Sequence, residues 1–433
     1  METNFISLLD ATENIVDNRG RTCPTVSSGK YTLIATNCIS NEYLYPRKIN
    51  VRYIDENTYA NWFRSHPLPN DIIFVTKGDP GRCCLVPEQI DFVIAQDMVT
   101  LRAKKGIVDT YYLLALLRSE LARNAIINMH VGTMIPHFKK GDFGNLLLPF
   151  PKISQQRAIG EIFYKIESKI ELLRKMNETL EAMAKALFQS WFVDFDPVRK
   201  KAEGIPTGLP KEIEDLFPSE FEESELGEIP KGWKVGNLGE ISVLNPESWN
   251  EKNHPERIFY LDLSNVKNNQ IQNLEEFNYN TAPSRARRVL KNNDTIIGTV
   301  RPGNRSYAFI KQNGLTGSTG FAVLRPNSKT HAEFLYLATT SNEMIDYYAH
   351  HADGGAYPAI SPNFIFNQKY IICPDSVMLV FHQYTNNLLS LVEINNTEIY
   401  SLSSLRDSLL PKLISGELEI TDKMITQILE TAK

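Results

Sequence analysis

The residues whose types and spacing suit chemistry are arginines and lysines in polar turns, and the chemistry they suit is binding. In the N-terminal part these are Arg19, Arg21, Lys77, Arg82, Lys139 and Lys140. Further on they are Arg285, Arg287, Arg288, Arg301 and Arg305, with Tyr307 and Tyr357 nearby. Guanidinium groups make paired hydrogen bonds to guanine edges, and both cation types neutralise phosphates. Any one of these residues reads equally well as part of a solvated charged face. Arg82 and Arg305 stand out as a pair because they recur at matching places in the chain.

Bond-making machinery is missing. No Gly-x-x-x-x-Gly-Lys phosphate loop, His-Glu-x-x-His zinc helix or Gly-x-Ser-x-Gly elbow occurs. Thr316-Gly-Ser-Thr-Gly320 reads as a turn, since no helix pattern follows to complete a cofactor loop. Asn245-Pro246-Glu247-Ser248 lacks the aromatic that would hold a flipped base. His350-His351 reads as a solvated helix end rather than a metal site.

The elements that must position the cations are duplicated. At an offset of 223, Asp71-Ile-Ile-Phe-Val-Thr76 lies on Asp294-Thr-Ile-Ile-Gly-Thr299, and Arg82 lies on Arg305. Met98–Arg102 likewise falls on Phe321–Arg325, and Gly132 on Gly355. Each copy leads into a long helix. The first, Ile153–Phe195, carries Ile159, Ile166, Leu173, Leu180 and Leu187 every seventh residue, with Phe163, Ile170, Asn177, Ala184 and Trp191 four residues on. Nine of those ten are apolar or small, the pattern of a coiled-coil seam. At ~1.5 Å per residue such a helix is roughly 50–60 Å long. Adding 222 reaches a second, more degraded seam in His382–Ser415.

In chain order, the sequence predicts a short helix over Phe5–Ile15 and strands over Tyr31–Ala35, Asp71–Thr76 and Phe92–Leu101. A helix over Thr110–Asn124, a polar loop over His130–Gly144 and a strand over Leu146–Pro149 complete the first globule. Asp196-Pro197 and Gly204–Pro210 end the first long helix. The stretch up to Glu228 reads as an exposed acidic linker. The second globule has predicted strands over Phe259–Leu263, Asp294–Val300, Ser306–Lys311 and Gly320–Arg325, then a helix from Ala332. A last short helix is expected after Gly416, through Ile425 and Leu429. Strands mixed with one or two helices indicate α+β globules.

The formal net charge of −5 argues against a nucleic-acid partner until it is divided. Lys211–Glu228 holds eight acidic residues and one basic, so the remainder of the chain is mildly basic. Composition is that of a soluble protein, at 42% hydrophobic and 22% charged residues. Neither an 18-residue apolar run nor a signal-peptide pattern is present, which makes the cytoplasm the expected location. The five cysteines (Cys23, Cys38, Cys83, Cys84 and Cys373) are odd in number and form no Cys-x-x-Cys pair, so they read as reduced packing residues.

Four motifs carry a resemblance. They are Gln155-Gln-Arg-Ala-Ile159 following Leu-Pro-x-Pro151, Ala186-Leu-Phe-Gln-Ser-Trp-Phe-Val-Asp-Phe195, Leu226-Gly-Glu-Ile-Pro-Lys-Gly-Trp233 and Leu409-Leu-Pro-Lys-Leu-Ile-Ser-Gly-Glu417. In that order the whole chain resembles the specificity subunits of type I restriction–modification enzymes. The first globule lacks a Pro-Lys-Gly-Trp opening, and the second long helix begins with His382-Gln383 rather than a Gln-Gln-Arg run. The resemblance implies an α+β chain in which two globular target recognition domains are separated by two long antiparallel coiled-coil helices, arranged as a pseudo-twofold internal repeat. It implies target recognition domains at residues 1–150 and 228–375, conserved helical spacers at 151–197 and 376–420, a linker at 198–227 and a tail at 421–433. It also implies double-stranded DNA as ligand and no catalysis by this chain. Two methyltransferase subunits, and restriction subunits with them, are the implied partners. S-adenosylmethionine, ATP and Mg would belong to those partners, with no cofactor or metal held here and no membrane. The recognition domains of such proteins vary too much for base-reading residues to be carried over by motif, so the cations named above rest on physical argument alone.

Antiparallel pairing about the repeat axis makes facing residue numbers sum to 572. Ile159 then meets Leu413, Phe163 meets Leu409, and Asn177 meets Asn395, the only amides in the seams. Such a pair costs stability but fixes register, because any slip strands an amide among leucines. Arg406 falls opposite Ile166 and is expected to reach out to solvent or meet a partner subunit. Two other classes compete with DNA recognition: a duplicated two-site enzyme and a pure coiled-coil scaffold. No shared acid–base or nucleophile set supports the first, and the large polar-turned globules speak against the second.

Overall fold

The computed structural model describes residues 3–17, 22–129 and 136–431. The chain forms two compact units, Met1–Lys175 with Asn396–Lys433, and Met176–Asn395.

The first unit contains β1 (Asn4–Ser7), β2 (Thr12–Asp17), β3 (Tyr31–Ile34), β4 (Arg52–Ile54), α1 (Glu56–Trp62), β5 (Ile72–Val75) and β6 (Cys83–Leu85). It continues with β7 (Phe92–Ile94), β8 (Met98–Ala103), α2 (Thr110–Arg118), α3 (Glu120–Asn128), β9 (Leu147–Phe150) and the start of α4 (Ile153–Phe192). A four-stranded antiparallel sheet has the order β2-β8-β5-β6, and a smaller sheet β4-β3-β7 contains the parallel pair β3/β7. Strands β5, β6 and β7 are buried at every position, which is why they read as unbroken apolar runs without alternation.

Three local expectations give way to tertiary pairing in this unit. Phe5–Ile15 is not a helix: Asn4–Ser7 pairs antiparallel with β9 and Thr12–Asp17 with β8. Ladder bonds to strands distant in sequence outweigh short-range apolar spacing. Phe92–Leu101 is two strands, turned at Asp97 with φ of 71°, because its halves serve different sheets. Residues 110–124 belong to two helices broken at Ser119, whose hydroxyl accepts from Ala122 N and caps the second.

The second unit takes the end of α4, then α5 (Asp196–Ala202), α6 (Lys211–Glu214), β10 (Phe221–Ser224), β11 (Gly227–Pro230), β12 (Lys234–Asn237) and β13 (Ser242–Leu244). There follow β14 (Arg257–Leu261), β15 (Val266–Lys267), β16 (Gln270–Ile271), β17 (Glu275–Asn278), β18 (Ala286–Leu290), β19 (Thr295–Gly298), β20 (Tyr307–Phe309), β21 (Leu315–Ser318) and β22 (Phe321–Pro326). Last come α7 (Ala332–Thr340), α8 (Asn342–His350), α9 (Pro362–Phe366), β23 (Lys369–Ile372) and the start of α10 (Asp375–Ser415). The sheet β13-β22-β19-β20 repeats β2-β8-β5-β6 strand for strand. The order β17-β14-β21, with its parallel pair β14/β21, repeats β4-β3-β7, and β18 is added at the edge. The duplication seen in the sequence is therefore a duplication of topology. An ion pair on a buried carboxylate is copied with it. Arg102 grips Asp71 through two bonds of 2.9 Å, and Arg325 grips Asp294 through two of 2.8 Å.

Two expectations change here as well. Thr316-Gly-Ser is not a turn but part of β21 at the centre of its sheet, paired with both β14 and β18. The acidic segment is not a free linker. It forms α5, α6 and the β10–β11 hairpin, and its carboxylates stay largely exposed while Phe217 is buried beside Trp191, ring centroids 5.1 Å apart. One aromatic every few residues is enough to fold an otherwise charged strip against a core.

Each long helix contributes one end to each unit. Helix α10 starts at Asp375, seven residues before the seam pattern, and stops at Ser415 because Gly416 takes φ of 78°. In the first unit α4 and α10 run antiparallel: Ile159, Phe163 and Ile166 face Arg406, Leu409 and Leu413 around one small void. Gly160, the lone glycine of α4, lies against α2, where a Cβ would stand 2.7 Å from Tyr112 N and closer still to the Asp109 carboxylate. Helix α11 (Asp422–Glu430) adds Ile425 to this core. In the second unit, Trp191 meets Phe381 and Asn395 Nδ2 donates to Asn177 Oδ1 at 2.8 Å.

Arg406 corrects the last expectation. Its side chain is only 18% exposed, and Nε pairs with Asp407 at 2.8 Å. It turns inward and donates to Glu167, which is 1% exposed and also accepts from Arg118 Nη1 at 3.0 Å. An arginine in an apolar seam is tolerated here because a buried carboxylate one position along the opposite helix receives it.

Candidate nucleic-acid interface

Each unit holds a loop, leaving its central strand, against the segment that follows its α-helical pair. In the first unit Phe138 N donates to Thr76 O at 2.8 Å and Gly78 N to Pro136 O at 3.0 Å. In the second, Ile360 N donates to Thr299 O at 2.9 Å and Arg301 N to Pro358 O at 2.7 Å. The lacing is the same at matched positions. It collects Lys77, Arg82, Lys139 and Lys140 in one unit, and Arg301, Arg305 and Tyr357 in the other. Arg285, Arg287 and Arg288 lie elsewhere, on β18 and its approach, in a different sheet from β19. Arg19, Arg21 and Gly132 fall outside the described residues.

The company each cation keeps separates these candidates. Lys77 lies 4.0 Å from Asp97. Arg82 pairs with Asp79 at 3.1 Å and donates to Ile39 O at 2.9 Å. Arg305, with left-handed φ of 61°, donates to Asn342 and pairs with Asp346 at 2.9 Å. Arg82 and Arg305 do occupy matched loops, and in both the guanidinium already has a carboxylate of its own unit. Arg285 donates to Tyr260 Oη and pairs with Asp262, both at 2.9 Å. Burial works to raise the Asp262 pKa, yet hydrogen bonds from Tyr260 and Ser264 and the Arg285 charge outweigh it and hold the group below its usual value.

The other cations have no carboxylate partner among the described residues. Lys139 and Lys140 are exposed on a turn that Asp142 holds by accepting from Lys139 N at 3.1 Å. Arg287 stacks 4.7 Å from the Tyr279 ring centroid and donates to Ala286 O at 3.1 Å. Arg288 donates to Ser248 Oγ at 3.3 Å, and burial pulls its pKa below the ordinary value. Arg301 donates from Nε and Nη2 to Ala356 O, at 3.2 and 2.7 Å, with its guanidinium 4.4 Å from the Tyr357 ring centroid. Unneutralised guanidinium groups on aromatic faces are suited to phosphates and base edges.

Two buried charge clusters escaped sequence reasoning. One is Arg118–Glu167–Arg406. The other, in the second unit, joins buried Glu333 to His382 Nδ1 at 2.6 Å and to Lys311 at 3.5 Å. Lys311 also lines a cavity of about 400 Å³ with Lys329, His382, Asn386 and Glu393. Burial lowers the Lys311 pKa and raises that of Glu393. These partners come from elements far apart in the chain, and no local pattern announces them. Among the described residues no three His, Cys, Asp or Glu side chains gather as a metal site, and no helix is long and apolar enough to cross a membrane. All five cysteines are free and buried.

Several residues of the sequence motifs are packing residues. Buried Gln156 ties α4 to the chain before it, donating to Pro151 O at 2.8 Å and accepting from Asp109 N at 3.1 Å. Trp191, Phe192 and Phe195 build one aromatic core with Trp233, Phe334 and Phe381.

Comparison with known proteins finds that residues 18–182 and 230–376 match the family described as the type I restriction modification DNA specificity domain. Over 331 residues the chain is 25% identical to the type I restriction enzyme MjaIX specificity subunit of Methanocaldococcus jannaschii, spanning 74% of this chain and 71% of that one. Over 390 residues it is 23% identical to the type I restriction enzyme HindI specificity subunit of Haemophilus influenzae, spanning 78% and 84%. Among solved structures, the type I restriction-modification system S subunit from M. genitalium shares the fold, with a TM-score of 0.58 at 14% identity over 97% of both chains.

Proposed function

The chain belongs to the type I restriction–modification DNA specificity family, and on that premise we propose that it reads a two-part duplex DNA target, one half-site per repeat, with the long helices setting the gap between them. The observation that carries this reading is the copied topology, in which the same sheets present the same laced loop twice. Two linked readers gain affinity through effective concentration, and a fixed separation makes the gap between half-sites part of the specificity. The unneutralised cations are the proposed DNA contacts. Arg82 and Arg305 are assigned to holding the loops in place.

The bond-making belongs to partners. Two methyltransferase subunits dock on the helical segments, and restriction subunits join them. S-adenosylmethionine, ATP and Mg are held by those subunits and none by this chain. Met176 and Met183 support the docking, since both are exposed, seven residues apart on one face of α4.

The test is the methylome of a methylation-free host expressing this chain with its neighbouring methyltransferase subunit. A split motif with one fixed gap is the expected result. A stable complex that leaves the host DNA unmethylated would speak against recognition by this chain, and no complex at all would end the reading.

The gap is also where the seam amides enter. Asn395 is 6% exposed and bonded to Asn177, so Asn177→Leu removes the acceptor from a buried amide and should cost about 1–3 kcal/mol. Changing both to Leu restores that stability and removes the penalty for slipping the two helices. The double variant is expected to methylate at more than one gap length. A single unchanged gap would show that the amides do not set register.

A further inference from the structure

We propose that Tyr357, backed by Arg301, is the side chain that the second unit lays against its DNA half-site; this rests on the recognition reading above. Tyr357 is 69% exposed. One face of the ring is covered by the Arg301 guanidinium at 4.4 Å, which leaves the opposite face open. The ring is therefore oriented before any ligand arrives.

The backbone around it is closed by hydrogen bonds. Asp353 N donates to Ala359 O at 3.0 Å and Ala359 N returns a bond to Asp353 O at 2.8 Å, making the neck of a small hairpin. Within the tip, Gly354 has φ of 119°, and a Cβ there would stand 3.1 Å from Tyr357 O, so only glycine suits the bend. The neighbours Gly354, Gly355 and Ala356 carry almost no side chain to shield the ring's open face, and the backbone is free to approach a groove wall. Arg301 sits beneath with left-handed φ of 49° and ψ of 61°, a conformation that costs free energy in a non-glycine residue. Its backbone N–H bonds Pro358 O, and its Nε and Nη2 bond Ala356 O. Residue 301 thus grips both sides of Tyr357.

Charge favours duplex DNA as the partner. Arg305, four residues away, is neutralised by Asp346, whereas Arg301 meets no carboxylate among the described residues, and nothing there accepts from its Nη1. A pre-formed ring with a free guanidinium edge matches a sugar or base face next to a phosphate. Asp353 at the hairpin neck is exposed and carries the opposite charge, which confines the attraction to the tip.

The experiment uses the full chain in complex with its methyltransferase subunit and fluorescent duplexes carrying the wild-type methylated motif, or that motif with one half-site scrambled. Tyr357→Ala is expected to weaken binding about tenfold or more, while Tyr357→Phe recovers most of that loss. Arg301→Ala should weaken binding too, and the double variant should fall little beyond Tyr357→Ala, because the two act as a unit. Discrimination should drop at one half-site and persist at the other. Thermal melts of each variant identify any loss that is simple unfolding. Tyr357→Ala with wild-type affinity and both discriminations intact overturns the proposal, as does a loss confined to assembly with the methyltransferase subunit. A wild-type complex that fails to bind any duplex in a salt-dependent way overturns the recognition reading itself, and the proposal with it.

Discussion

Glu167→Ala should lower the stability of this chain by about 3–5 kcal/mol, the cost of leaving buried cations without their counter-charge. The carboxylate is 1% exposed, and the Arg118 and Arg406 side chains that flank it are 6% and 18% exposed. Arg118 has nowhere to go once Glu167 is lost. Its guanidinium also donates to Tyr43 O at 2.5 Å and to Cys83 O at 2.9 Å, so leaving would strand two carbonyls as well. Arg406, nearer the surface, can swing out, so Arg406→Met should cost much less than Glu167→Ala. Urea unfolding followed by circular dichroism measures both. Because the cluster is buried, its contribution should persist in high salt, where surface pairs fade. Equal midpoints for wild type and Glu167→Ala would show that the cluster carries no net stability.

Trp191→Ala is expected to cost a similar ~3–5 kcal/mol for a different reason, the cavity left in a packed aromatic core. Trp191 is 2% exposed and its ring lies 5.1 Å from Phe217 and 5.9 Å from Phe381. Phe192 continues the core, 4.8 Å from Phe381 and 5.0 Å from Phe334. Edge-to-face rings of this kind add to the area they bury. The truncation should loosen α4, the Phe217 segment and the start of α10 together, since one side chain touches all three. Hydrogen exchange of the variant should rise across these segments of the second unit. Protection unchanged at Phe217 and Phe381 would mean that the core closes over the gap.

Much of this was legible in the sequence because it rests on periodicity. The heptad seam names the face of α4 that is buried, and the antiparallel sum places Asn177 opposite Asn395, where the two amides are bonded. The offset between copies anticipated that β5 and β19 would be equivalent, and that their loops would carry Arg82 and Arg305. What failed was local reading where the tertiary partner decides. The spacing over Phe5–Ile15 suits a helix, but the partners of those residues are β9 and β8. The acidic strip reads as an exposed linker because its charges outnumber its aromatics, yet Phe217, with Ile213, Leu216 and Phe221 packed beside it, ties it to the core.

The sequence by itself determined the duplicated globules, the two long helices with their amide pair and the absence of familiar catalytic motifs, since each of these is written in residue order and spacing. The tertiary structure alone decided which of the candidate cations have a carboxylate partner. Arg305 and Arg301 are four residues apart and look alike in sequence, but Asp346 lies 41 positions from Arg305 and neutralises it, while Arg301 folds onto Ala356 O and Tyr357. Arg406 finds Glu167 across 239 residues. Charge compensation acts through space over a few ångströms, and chain separation carries no information about it.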